Sequence, residues 1–214
     1  MTRSQAVGVG FTLVGVSLAW SCQAQDHQWS DDRLTLHASV ASEVVATLGS
    51  AAVPQCDNPE ETVVRVWVEF DGSDPDRLLV LRRRGELCSG AVYLHWRTGT
   101  PEAAVVEEHV SRGFRIQSIQ LGRRVAVAEL RSEQDWSLLW KELNSERVLD
   151  LPCACDLPNE RTWFDHPTVL YVDVLGEKPR SYRYVNPRVQ EWKEARNADA
   201  ILARVLLLFS KSRR

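Results

Sequence analysis

The chain has 214 residues, a formal net charge of -3 and a pI near 6.0. Hydrophobic residues make up 44%, charged residues 26% and aromatic residues 8%, which excludes collagenous, disordered and coiled-coil classes. The 26 basic residues are scattered along the chain, without the basic excess that non-specific nucleic-acid binding requires.

Residues 1–24 are expected to be a secretory signal peptide. Arg3 supplies the positive start, and the run from Ala6 to Trp20 is uncharged and largely apolar. That run is shorter than the roughly 20 apolar residues a membrane-spanning helix needs. Cys22-Gln23-Ala24 places small residues at the two cleavage-critical positions, so the cut falls after Ala24. A second route runs through Leu18-Ala19-Trp20-Ser21-Cys22, a degenerate lipobox whose leucine stands four residues before the cysteine instead of three. Lipidation at Cys22 would tie the protein to the outer membrane. Either route takes Cys22 out of disulfide chemistry. Cys56, Cys88, Cys153 and Cys155 remain, an even number in an oxidising compartment, so two disulfides are expected.

About 190 residues follow the cut, enough for one domain with a sizeable core. Ser39 to Leu48 carries Val40, Val44, Val45 and Leu48, with a serine cap and Gly49 as a stop, and predicts a helix. Val63 to Phe70 alternates, with Val64, Val66, Val68 and Phe70 on one face and Arg65, Trp67 and Glu69 on the other. This predicts a half-buried strand. The turn formers Asp71 to Asp76 lead to a second strand over 77–83, and Ala91 to Trp96 is a third, together an antiparallel meander. Thr100-Pro101-Glu102 opens a short helix that ends near Gly113. Strands are expected at 114–121 and 124–131. The clearest helix starts after Ser132 and runs over 133–146, with Ser132 and Asp135 as a capping box. Trp136, Leu139, Trp140 and Leu143 form its apolar stripe. A cysteine-bearing loop leads to a hairpin of 168–175 and 180–185, closed by Asn186-Pro187. The final helix buries Ala198, Ile201, Leu202, Val205, Leu208 and Phe209 on one face. No repeat or linker divides the chain. The expectation is a single α+β domain over 25–214, an antiparallel sheet with helices packed on one face and disulfides stabilising it.

Trp136-x-x-Leu139, Leu151-Pro152, Phe164-Asp165-His166 and Tyr182-Arg183-Tyr184-x-Asn186-Pro187, followed by an apolar helix, form a pattern over roughly the last third of the chain. This pattern resembles the C-terminal part of uncharacterised secreted proteins and lipoproteins of Gram-negative bacteria. Those sequences often have Asp-Gly after the central loop, where this one has Asp165-His166-Pro167. The resemblance implies export and carries no activity.

Cys153-Ala154-Cys155 is the sharpest local motif. A Cys-x-Cys pair suits a redox dithiol or a soft metal such as Cu(I). It equally suits structural stapling, because thiol-redox sites usually show Cys-x-x-Cys at a helix start, and Asp156 would disfavour a thiolate here. The four cysteines lack the paired knuckle of a zinc site. The five histidines form no metal-binding pair, and the carboxylates of Asp71 to Asp76 lack the spacing of a calcium loop. Asp165-His166 could work as an acid–base pair with Ser181 as a distant nucleophile, but no Gly-x-Ser-x-Gly elbow activates a serine. Arg82-Arg83-Arg84 suits anionic phosphates or, more simply, a charged edge strand. Trp67 on a polar strand face and Trp163 in a loop, with Asp165 and His166, are the candidate binding residues, since exposed aromatics favour contact with peptides or glycans.

Two pairings of the cysteines stay open. Cys56 precedes the first strand and Cys88 returns to the same end of the hairpin, which favours Cys56–Cys88 with Cys153–Cys155 as the second bond. The alternative sends Cys153 and Cys155 separately to Cys56 and Cys88. The functional expectation is an exported, non-catalytic binding module, periplasmic or secreted, for an envelope protein, a peptide or a glycan. No cofactor, metal or nucleic acid is expected, and a membrane only through lipidation at Cys22. The alternative is a thiol-redox or soft-metal-binding protein using Cys153 and Cys155.

Overall fold

The computed structural model describes residues 32–52, 60–70, 75–97, 113–157 and 167–211. The strands are β1 (Glu61–Phe70), β2 (Asp76–Arg84), β3 (Leu87–Arg97), β4 (Ile116–Leu121), β5 (Val125–Leu130), β6 (Thr168–Leu175) and β7 (Arg180–Val185). The helices are α1 (Asp32–Leu48), α2 (Trp136–Ser145) and α3 (Lys193–Lys211). All seven strands join one antiparallel sheet in the order β4-β5-β3-β2-β1-β6-β7. The meander β1-β2-β3 forms its middle, and the hairpins β4-β5 and β6-β7 extend it on either side.

The register assigns side chains to two faces, because directly paired residues point the same way. On the first face Val64, Val66, Val68, Leu79, Leu81, Val92, Leu94, Leu170 and Val172 meet α2 and α3 in the larger core. On the second face Val63, Trp67, Leu78, Val80, Tyr93, Val125 and Val127 meet Val40, Val44, Val45 and Leu48 of α1. The α+β architecture and antiparallel sheet are therefore as the sequence predicts, with helices on both faces instead of one. The reason lies in β1. Residues Val63 to Val68 are all buried, so this is a central strand covered twice and not a half-buried one.

Two glycines let the layers approach. A Cβ on Gly90 of β3 would stand 2.7 Å from the Trp136 ring and 2.9 Å from the Val80 carbonyl oxygen. A Cβ on Gly122, in the β4-β5 turn, would stand 2.5 Å from Thr47 Oγ1 of α1. Glu43 of α1 ties down the same turn, accepting from the backbone N–H of Arg124 and, at 2.9 Å, from its Nε.

Several boundaries differ from expectation. Helix α1 begins at Asp32, so Ser39 lies inside it. The N-cap of α2 is Asp135, whose Oδ1 accepts from the Leu138 N–H at 2.9 Å, and Ser132 lies outside the helix. Trp140, Leu139 and Leu143 are buried as their spacing predicts, while Trp136 is half-buried. The hairpin β6-β7 matches residue for residue. Asn186 then turns the chain in the left-handed region, φ 42°, and its backbone and side chain bond Thr168 from both sides. The expected helix after Thr100 and most of the Asp71 to Asp76 turn lie outside the described residues.

Candidate functional site

Helix α1 covers the second face over β5, β3 and β2. Among the described residues, no helix covers that face over β6 and β7. There polar side chains stand among apolar ones, with Tyr171 and Leu175 packed against the α1-side core. Arg65 of β1 stands opposite Asp173 of β6, and Asp173 stands opposite Ser181 of β7. Next along, Trp67 pairs with Tyr171, and Tyr171 with Arg183.

Asp173 organises this half-face. Its Oδ2 lies 3.1 Å from Arg65 Nη2 and accepts from Trp67 Nε1 at 3.0 Å, and its Oδ1 accepts from the Ser181 hydroxyl at 2.7 Å. Arg65 is only 6% exposed, and its Nε and Nη1 have no hydrogen-bond partner. A buried guanidinium needs a counter-charge, and Asp173 supplies it. Tyr171, Asp173 and Arg183 are half-buried and Ser181 is exposed, so the patch is partly open to solvent.

The apolar half carries its own polar inclusions. His95 is 1% exposed and stands edge-on to Trp67, centroids 5.6 Å apart. It pairs across the strands with Asp76. Burial, and then the neighbouring charge of Glu129, push the Tyr93 hydroxyl up to about 12, which keeps it neutral across the physiological range.

Trp67 is fully buried and fixes Asp173 from beneath, so it does not present an exposed ring to a ligand. Trp163, Asp165 and His166 lie outside the described residues. Ser181 directs its hydroxyl to Asp173. Arg82, Arg83 and Arg84 at the end of β2 do not form one patch. Arg82 pairs with Glu61 at 2.9 Å and donates to the Ala51 carbonyl, whereas Arg83 lies over the Trp140 ring on the opposite face. Among the described residues, no three His, Cys, Asp or Glu side chains gather as a metal site, and no helix is long and apolar enough to cross a membrane.

Cys153 and Cys155 bond to each other, their Cα atoms 5.1 Å apart. This replaces the alternative in which each reaches a distant cysteine. Their turn sits against β7, whereas Cys88 lies on β3, four strand spacings away, or roughly 19 Å at ~4.8 Å per strand. Cys88 is half-buried beside the start of β1, since it pairs with Arg83 and Arg83 with Thr62. It has no disulfide partner among the described residues, and Cys56 lies outside them.

The Arg65–Asp173–Ser181 chain is the feature sequence reasoning missed. Trp67 and Asp173 are 106 residues apart, so no local motif contains them. The available signal was compositional: one arginine in a valine strand, ETVVRVWVEF, and one aspartate in another, TVLYVDVL. Lone opposite charges in two apolar strands are candidates to neutralise each other. No family model, curated protein or solved structure matches the chain.

Proposed function

We propose that the chain is an exported, non-catalytic binding module whose ligand lies on the β6-β7 part of the second sheet face. The observation that supports this is the partly open patch of Tyr171, Asp173, Ser181 and Arg183 held on a rigid, buried base of Arg65 and Trp67. Both Asp173 oxygens are committed to protein donors, which suits a fixed recognition surface better than proton transfer. The aromatic ring of Tyr171 and the guanidinium of Arg183, cross-strand neighbours, suit a peptide or glycan that carries a carboxylate. Export rests on the signal-peptide pattern of residues 1–24 and on the resemblance to secreted proteins of Gram-negative bacteria.

Titration with short acidic peptides and with carboxylate-bearing cell-wall glycans, followed by backbone NMR, tests the reading. Shifts should concentrate on β6 and β7. Arg183→Ala should weaken binding about tenfold, equivalent to about 1.4 kcal/mol. Unchanged affinity in both Arg183→Ala and Tyr171→Ala would exclude this surface. N-terminal sequencing of the exported protein should begin at Gln25, or at acylated Cys22 for the lipoprotein route, and retention of Met1 would exclude export.

A further inference from the structure

The Cys153–Cys155 bond joins residues only two apart in sequence. A ring of that size removes little freedom from the unfolded chain, so the bond adds little as a staple. The segment that carries it is held in place independently. Three successive first-face residues of β7 grip it: Arg180 Nη2 donates to the Leu151 carbonyl at 2.7 Å, the Tyr182 hydroxyl to Val148 at 2.9 Å, and the Tyr184 hydroxyl to Pro152 at 2.9 Å. Ala154, between the two cysteines, is fully buried in the larger core. Cys153 is half-buried against that core, and Cys155 is exposed. Exposed disulfides are the ones that exchange with external thiols.

We propose that Cys153–Cys155 is an exchangeable disulfide that oxidises paired thiols of polypeptides. A substrate thiolate attacks the exposed Cys155 Sγ, the Cys153–Cys155 bond breaks, and Cys153 leaves as the thiolate. Asp156 sets this direction: its Oδ1 stands 3.8 Å from Cys155 Sγ, where a carboxylate disfavours negative charge on that sulfur. The second substrate thiolate then attacks the substrate sulfur of the mixed disulfide. A substrate disulfide forms, Cys155 departs and takes up a proton, and Cys153 takes up another. Two electrons and two protons pass from the substrate dithiol to the chain, and the protein disulfide is the oxidant. The site lies on the opposite side of the sheet from the binding patch, so the two proposals stand or fall separately.

The test uses the full oxidised chain without denaturant and a synthetic peptide carrying two cysteines. One equivalent of peptide should be oxidised per chain. A one-cysteine peptide should give a mixed disulfide that mass spectrometry maps to Cys155. The double variant Cys153→Ser/Cys155→Ser should lose at least about tenfold of the peptide oxidation while keeping its unfolding midpoint. The proposal is overturned by a bond that peptide thiol opens only after the chain unfolds, by mixed disulfide at Cys153 to an equal extent, or by a double variant that no longer folds, since the bond would then be a staple.

Discussion

Asp173 is a small residue with four obligations: it neutralises Arg65, orients Trp67, receives Ser181 and faces solvent with part of its side chain. Removing it leaves a guanidinium that is buried and uncompensated. Asp173→Ala is expected to cost about 2–4 kcal/mol in chemical denaturation, toward the lower end for a buried pair because 22% of the Asp173 side chain is exposed. The double variant Arg65→Leu/Asp173→Ala should recover most of that loss, since no charge is then stranded. Additive losses would mean that the two residues stabilise the strands separately. Gly90 is a second residue whose role is steric. An added Cβ meets the Trp136 ring, the Leu81 side chain and the backbone of Val80 together, and the backbone cannot yield. Gly90→Ala should cost about 1–3 kcal/mol, as overpacking does. A midpoint equal to wild type would show that α2 can lift from β3 without penalty.

At the scale of elements, the period-3.6 stripe of α2 was legible for Leu139, Trp140 and Leu143, which lie on one buried face, while Trp136, expected in the same stripe, is half-buried. Trp140→Ala should cost about 3–5 kcal/mol, the range for truncating a buried tryptophan. A loss under about 1 kcal/mol would remove the stripe from the core. Helix α1 was half legible. Its valines at 40, 44 and 45 announce a helix, but nothing local says which sheet face they cover. Its docking also depends on Glu43, whose carboxyl experiences two opposed effects. Burial pushes it up, but the Arg124 backbone N–H and guanidinium outweigh this and hold it below the ordinary 4.5. A depressed folded value stabilises the protein fully above the unfolded pKa, and the contribution is lost as the pH falls through the folded value. Glu43→Gln should therefore be less stable than wild type at neutral pH, with the gap closing on acidification below the ordinary glutamate range. Denaturant midpoints measured across that range check this, and a gap independent of pH would discharge Glu43 from the role.

At the scale of the molecule, the strand hairpins and the antiparallel order could be read from alternation and turn residues, while the layering could not. Alternation along β1 sets valines against Arg65, Trp67 and Glu69, which by itself describes one wet face. The face is dry because α1 seals Trp67, and because Asp173, far along the chain, neutralises Arg65. Both causes are tertiary and neither has a local signature. The result is a sheet whose middle is covered twice and whose margins are not. In β1, Val64, Val66 and Val68 are 0% exposed, as are Leu78 and Leu79 in β2. Both strands have a hydrogen-bonded neighbour on each side. The margins are β4, with Gln117, Gln120 and Leu121 exposed, and β7, with Arg180 and Ser181 exposed. Opening β1 or β2 must break two ladders and expose both cores, so their amides should exchange only through global unfolding. Opening β4 breaks one ladder and uncovers little apolar surface, so sub-global fluctuations suffice. Native-state hydrogen exchange should therefore find the amides of β1 and β2 slowest, with those of β4 faster by on the order of 100-fold or more. The β7 amides should fall between, because Arg180, Tyr182 and Tyr184 pin that edge to the 148–152 segment. If β4 exchanged as slowly as β1, the sheet would open as one unit and the double coverage of its centre would carry no extra stability.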